Sequence, residues 1–468
     1  MTPAEQIAEL DAATASIDLV RAAIADSKTD DALALIEAAQ RNLQTALEAT
    51  TTAQAQLDDA KAALQGTTPL PPGDFYTATT SRDVKPKPAP LVLGPAGFQF
   101  TDPVFGTSLT RVTDEHTGGG SIRVPSNSHI AAWNADSSSF YVINEGGGAL
   151  FYHLNGGLPI RREASCGSYI EPAFSYVDPH RVWCAGGPHY RVVYTYDLAT
   201  GATSTVCDLD QTYPQLGLSG YIGGTLTTDG DVWVTFFGGA SQDQHRYIHH
   251  STAGLLDVVD RCGVRIHAIS IDRPGRYVLI YATSEDINAG KPQVTIWDTV
   301  TAALTGLTHL PGGHDSVGYG CWVNQDCCTE TSWDGCQWQF RQLAAPTWTK
   351  DLIVPPLEPQ EIYISDHSNW RHNTGQNREP VFSFLYRRTP PGTAPVPWRA
   401  WDDEVICIAP DGSGVVHRFC HHQSLSEDDF WSQPIGNVSP DGRWAIFTSN
   451  WGKTLAGGRQ DVFLLHLT

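Results

Sequence analysis

Ser439-Pro440-Asp441-Gly442-Arg443-Trp444-Ala445-Ile446-Phe447-Thr448-Ser449 sets a Pro-Asp-Gly tight turn before a run that alternates as a half-buried β-strand does. Looser copies of this stretch stand upstream. Ser270-Ile271-Asp272-Arg273-Pro274-Gly275-Arg276-Tyr277-Val278-Leu279-Ile280 repeats it, and so do Trp133 to Ile143 and Thr227 to Val234. Further strand-like runs and polar turns follow, as in Val193-Tyr194-Thr195-Tyr196-Asp197-Leu198 before Ala199-Thr200-Gly201, and Val294-Thr295-Ile296-Trp297-Asp298 before Thr299 to Ala302. Turn, strand, turn, strand is the succession expected of a four-stranded sheet repeated along the chain.

Repeated sheets of this size predict a mainly β chain folded as a β-propeller. Inner strands are expected to start near Ser128, Ile170, Gly223, Ile266, His314, Asp366 and Ile435, which predicts seven blades across residues 98–468. The Pro-rich insertion Arg388 to Pro397 lengthens the sixth interval and is unsuited to a central strand. The segment Phe98 to Val112 is predicted to pair with the last strand, Val462 to Leu467, closing the ring and removing its free edges. The Ser-Pro-Asp-Gly-Arg-Trp stretch with its aliphatic strand resembles the repeat of TolB-type β-propellers. That resemblance implies the fold and leaves function open, since such repeats serve binding proteins, peptidase lids and polysaccharide lyases.

Composition narrows the function. Of 468 residues, 17% are charged, with 30 Lys and Arg against 51 Asp and Glu and a formal net charge of −21. So acidic a chain is not expected to grip a phosphate backbone, which calls for clustered Lys and Arg. The charge is read as serving solubility. No apolar run reaches the ~20 residues that cross a bilayer, so no membrane span is predicted.

Residues 1–66 differ from the rest. Met1-Thr2-Pro3-Ala4-Glu5-Gln6 begins a helix, with Thr2 as cap, Pro3 in the first turn and Glu5 completing a capping box, and lacks the basic and apolar regions of an export signal. Leu10, Ala13, Ile17, Val20 and Ile24, then Ile36 to Leu64, follow alternating three- and four-residue steps, predicting a coiled coil or helical hairpin broken at Asp26 to Asp31. An Ala-rich seam buries little, so this segment is expected to need a partner. A Pro-rich linker, 67–97, follows. The layout of slender helical N-terminus, strap and β-rich head resembles phage tail fibres. The resemblance implies a homo-oligomer docked through residues 1–66 on virion proteins or on itself, in a virion or the cytoplasm. The plain alternative is a helical extension packed on its own propeller.

The ten cysteines include Cys321, Cys327, Cys328 and Cys336 in one cluster. Disulfides, free buried thiols and zinc are all compatible with that cluster, although no Cys-x-x-Cys pair is present. Cys184 and Cys207 are a second candidate pair.

Chemistry in a propeller gathers where inner strands converge. His267, His314 and His367 fall at or near inner-strand starts, with His129 and His421-His422-Gln423 at comparable places and Asp315 and Asp366 beside them. Such a set suits a divalent metal such as manganese, zinc or calcium. The alternative is that each imidazole hydrogen-bonds blade to blade. The arrangement also resembles oligogalacturonate-lyase propellers, which implies His314, His367, His422 and Gln423 as metal ligands and Arg265 or His267 as the base removing the proton beside a uronate carboxylate. Trp322, Trp370, Trp398, Trp401 and Trp431 crowd the last blades, several near Asp, Asn or Gln, as in sites that stack sugars. The preferred expectation is a non-enzymatic head recognising a cell-surface glycan. A metal-dependent uronate lyase and a cytoplasmic scaffold are the alternatives.

Overall fold

The structure, a computed structural model, describes residues 75–125, 130–162, 171–186, 191–212, 214, 222–227, 233–237, 246–250, 256–260, 264–308, 315–326, 337–344, 347–353, 363–388, 398–426 and 430–467. One compact unit comprises Phe75–Asn373 and Asn377–Thr468. The turn quoted first is built the same way in the copies at Ser439, Asp272 and Asn134, with a related turn at Ser175, while the turn of the copy at Thr227 lies outside the described residues. Ser439 N donates to Trp444 O at 2.8 Å while its Oγ accepts from Trp444 N at 3.0 Å. Asp272 does this with Tyr277 through N–H at 2.9 Å and carboxylate at 2.8 Å, and Asn134 with Ser139 at 2.9 and 2.8 Å. Ser175 N donates to Arg181 O, and its Oγ takes Val177 N and Asp178 N. A short polar side chain at the end of the inner strand thus satisfies the turn amides and reverses the chain.

Gly442 and Gly275 occupy the left-handed region at φ 70° and 81°. In the copy at Asn134 the equivalent conformation falls to Ser137, at φ 61°. That conformation costs a residue with a side chain roughly 1–2 kcal/mol. The Ser137 hydroxyl offsets it by accepting Asp441 N at 3.0 Å, joining this turn to the last one in the chain.

Six four-stranded antiparallel sheets follow one another along the chain. Blade 1 holds Ile122–Arg123, Ser139–Asn144, Ala149–Asn155 and Leu158–Arg162, and blade 2 holds Ala173–Phe174, Arg181–Gly186, Val192–Asp197 and Thr203–Asp208. Blade 3 holds Ile222–Thr227, Trp233–Phe237, Arg246–His250 and Leu256–Asp260, and blade 4 holds Ile266–Ile271, Tyr277–Ala282, Val294–Asp298 and Ala303–Leu307. Blade 5 holds Ser316–Val317, Cys321–Asp326, Gln337–Gln342 and Thr349–Asp351, and blade 6 holds Tyr363–Asn369, Val381–Arg388, Glu404–Ile408 and Val416–His421. First strands of neighbouring sheets touch, as Ile222–Thr227 does with Ile266–Ile271 and Tyr363–Asn369 with Gly436–Val438, so they form the inner wall. The second strand of blade 4 is wholly buried and its fourth mostly exposed, as a radial sheet requires.

A five-stranded sheet closes the ring, in the order Gly436–Val438, Trp444–Ser449, Asp461–His466, Ser108–Arg111, Gln99–Thr101. The predicted closure is borne out: Leu109, Thr110 and Arg111 pair antiparallel with Leu465, Leu464 and Phe463. The predicted architecture needs correction in its blade count. Six sheets, not seven, are regular four-stranded blades of continuous sequence, because the last repeat supplies three strands of a composite sheet finished by the segment before blade 1. Spacing alone counts repeats and does not reveal that difference. The predicted coiled coil over 1–66 lies outside the described residues, whose α-helices are two short ones, Leu209–Thr212 and Ser284–Asn288.

Residues from Phe75 onward, read as linker, lie along blade 6 and the closing sheet. Tyr76 meets Phe382 and Phe419 edge-on and donates to Gly442 O at 3.0 Å, while Thr79 bridges to Arg418. Arg418, fully buried, holds Glu404 at 2.7 and 2.6 Å and reaches Ser81 O and Asp83 O. Lys87 Nζ lies 2.6 Å from Asp403. Cys207, Cys321, Cys407 and Cys420 are buried free thiols, so the predicted Cys184–Cys207 bridge is not formed and no disulfide joins two described residues. Cys327, Cys328 and Cys336 lie outside the described residues.

At the closure Arg111 grips Asp461 through Nε at 3.1 Å and Nη2 at 2.6 Å and donates to Gly94 O at 2.7 Å. Arg459 Nε at 2.9 Å and Thr113 Oγ1 at 3.1 Å complete the carboxylate's shell. Removing one partner of a buried pair costs about 3–5 kcal/mol. Arg111→Met is expected to lower unfolding free energy by about 3 kcal/mol in guanidinium titration, with hydrogen exchange rising first at Leu109–Arg111 and Phe463–Leu465. A loss below about 1 kcal/mol would show that the pair does not secure the ring.

Candidate binding site at the mouth of the ring

Inner strands begin at one end of the ring and finish in the shared turns at the other. At the starting end, Arg123 of blade 1, Glu171 just before blade 2 and the short helical turn Phe430–Ser432 before the closing sheet come together. Arg123 Nη1 pairs with Glu171, and its guanidinium stands 4.1 Å from the centre of the Trp431 ring. Trp431 remains 41% exposed. Phe430 meets Trp431 edge-on at 5.0 Å and His367 at 5.8 Å. His367, fully buried, shares a 2.7 Å hydrogen bond between Nε2 and Gln433 Oε1 and stacks on Tyr386. The patch therefore offers an indole face, a guanidinium and a carboxylate side by side.

The turn end is crossed by arginines. Arg371 of blade 6 donates to Ser175 O at 3.0 Å and Trp133 O at 3.4 Å, on blades 2 and 1. Arg273 of blade 4 donates to Arg371 O at 3.0 Å, and the two guanidiniums lie 4.2 and 3.4 Å from the centre of the Tyr176 ring. Carbonyl acceptors and a π-face take part in satisfying these buried cations. Arg123, Glu171, Gln433, Arg273, Arg371 and Tyr176 were not foreseen as site residues. The one sequence signal was position: Arg273 directly follows the turn-capping Asp272, at the inner strand's end.

Of the predicted metal ligands, the described ones, His367, His422 and Gln423, are not brought together. His314 lies outside the described residues. His367 sits in the seam between blade 6 and the closing sheet, the blade-to-blade bonding weighed as its alternative role. His422 and Gln423 follow the outermost strand of blade 6, away from the inner wall. Both His422 nitrogens are engaged, Nε2 with Leu385 O at 2.7 Å and Nδ1 with Ser424 N at 2.9 Å, and burial takes its pKa down to about 3. Gln423 is buried in a left-handed conformation, φ 61°, its carbonyl accepting Gly452 N.

The predicted base candidates stand near one another in sequence on blade 4. His267 is the bulge residue of the inner strand, passed over where Ile266 pairs with Ala282 and Ala268 with Tyr281. It is exposed, yet the protein around it desolvates the imidazole enough to lower its pKa. Arg265 Nε lies 3.8 Å from Asp286 and its backbone N–H binds the same carboxylate. Among the tryptophans, Trp322, Trp370 and Trp401 are buried and present no ring to solvent. Trp398 is half-buried beneath Arg387, 4.3 Å away, and only Trp431 of the five is exposed.

No family model matches the sequence, and no curated protein matches it. Solved structures do. An oligogalacturonate lyase in complex with manganese is 14% identical with a TM-score of 0.53, over 81% of this chain and 98% of that one. The chain is a β-propeller. An oligogalacturonate lyase from Vibrio parahaemolyticus aligns at 12% identity and TM-score 0.48, over 79% and 96% of the two chains. The β-propeller domain of the Trilobed protease from Pyrococcus furiosus aligns at 9% and 0.41, over 70% and 89%. Manganese belongs to the first of those structures. In this propeller the described members of the predicted ligand set do not fit a metal, since His422 has no free nitrogen and no group of three His, Cys, Asp or Glu among the described residues could hold an ion.

Asp315 and Asp366, also singled out from sequence, are buried at the inner starts of blades 5 and 6. Burial pushes Asp366 up to about 6, against hydrogen bonds from Ser383 Oγ and Trp338 Nε1. Burial and then the neighbouring Asp366 charge raise Asp315 further. A carboxyl raised in the folded propeller holds its proton there after the unfolded chain has lost it, so its stabilisation is full below about pH 4 and is lost as pH rises to about 6. Asp366→Asn cannot ionise. Between pH 4 and 6 the unaltered protein should lose about 2–3 kcal/mol of stability that Asp366→Asn retains, read from urea midpoints at each pH; parallel profiles would contradict the burial argument.

Proposed function

We propose that the propeller is a carbohydrate-binding head whose mouth recognises uronate-containing glycans, with residues 1–66 as the segment that docks or oligomerises it. One observation carries the reading: an indole 41% exposed, stacked by the Arg123 guanidinium and flanked by Glu171, at the starting end of the inner strands. A sugar ring packs its C–H face against exposed indole surface, a carboxylate such as Glu171 accepts hydroxyls, and a guanidinium attracts a uronate carboxylate. Phe430 and the His367–Gln433 bond hold the Trp431 turn in place, so the platform is set before a ligand arrives.

The lyase reading keeps one specific support, the exposed His267 beside Arg265 on the inner wall of blade 4. Calorimetry with oligogalacturonate separates the two. The unaltered chain should bind and Trp431→Ala should bind at least about tenfold more weakly, with no growth of ultraviolet absorbance when manganese is added. Growth abolished by His267→Ala would replace the binding reading with the lyase reading. Absence of binding to both uronate and neutral oligosaccharides would remove the mouth as a glycan site.

A further inference from the structure

Blade 1 carries an open groove of about 400 Å³ lined by Ser138, Ser139, His153, Leu154, Arg161 and Arg162. It lies toward the turn end of the ring, away from the Arg123–Trp431 patch, because Leu154 N bonds Ser138 O beside the Asn134 turn. We infer that this groove is a second binding site, for a small organic oxyanion, either a carboxylate or a phosphate monoester. The described lining contains two guanidiniums and an imidazole and no carboxylate, in a chain whose net charge is −21.

The two arginines differ in a useful way. Arg162 is fixed: its Nη2 donates to Leu198 O of blade 2, so the guanidinium is held across the seam with its other N–H groups left over. Arg161 is exposed and forms no ion pair with any described residue, so no described carboxylate consumes its charge. Ser138 Oγ accepts from Asn134 Nδ2 at 3.1 Å, which leaves its own O–H to donate. Asp136, on the adjoining turn, is occupied by Ser138 N at 3.0 Å and does not line the groove. A fixed and an exposed guanidinium, a serine hydroxyl and an imidazole make a donor-rich, cationic set, the chemistry that favours an oxyanion over a neutral sugar.

The test is calorimetric titration of the full chain in chloride-free buffer with inorganic phosphate, D-galacturonate and D-galactose. One or both anions should bind and galactose should not. Phosphate alone would identify the monoester source, and galacturonate alone the carboxylate source. Arg161→Ala should weaken the anion at least about tenfold and Arg161→Lys should restore part of it, both with an unchanged melting temperature. Galacturonate is also a ligand of the proposed mouth, so both anions are titrated into the Trp431→Ala chain as well; binding that persists there and falls with Arg161→Ala belongs to this groove, so this site and the proposed glycan mouth fail separately. An affinity unmoved by Arg161→Ala, or no anion binding up to about 10 mM, overturns the inference.

Discussion

Everything in this ring depends on three backbone pairings, Leu109, Thr110 and Arg111 against Leu465, Leu464 and Phe463. Each sheet is flanked by two others, so a ring left open would expose two sheet faces and the edge of an unfinished one. The pairing joins segments some 350 positions apart, at a large cost in chain entropy that only the completed ring offsets. The buried Arg111–Asp461 contact, reinforced by Arg459 and Thr113, makes the register of this junction specific. Packing behind it is equally particular: a β-carbon on Gly436 would lie 2.2 Å from the Phe384 ring.

Local chemistry was legible in the sequence, and side-chain direction was not. Asp272, Ser439 and the degraded copy at Asn134 each announce a turn because the capping oxygen and the amides it serves lie within a few residues. Inner-strand starts inferred at Ile266, Asp366 and Ile435 fall within a few residues of those observed. His267 and His367 fall on the inner strands expected of them, and His367 takes the blade-to-blade bond that was the alternative to a metal. Successive residues of a strand face opposite sides, so Asp366 turns toward Trp338 of blade 5 while His367 turns toward Gln433 of the closing sheet, and neither is presented for joint ligation. Tryptophan is equally ambiguous in a sequence, since Trp322 and Trp401 fill interior space and Trp431 meets solvent with similar polar neighbours in sequence.

Polar and charged groups are unusually deep in this molecule. Arg418 and Glu404 are fully buried together, and carbonyls of the strap at Ser81 and Asp83 take up the remaining guanidinium hydrogens. Such an arrangement contributes little net stability over an apolar one and is costly to leave half-made. It favours one path for the segment from Phe75 onward, because only that path supplies the two carbonyls.

Arg273 and Arg371, clasping Tyr176 across the turn end, tie blades 1, 2, 4 and 6 to one another. Loss of either guanidinium would therefore loosen several blades at once, so two side chains act as a hub for sheets that are far apart in the chain.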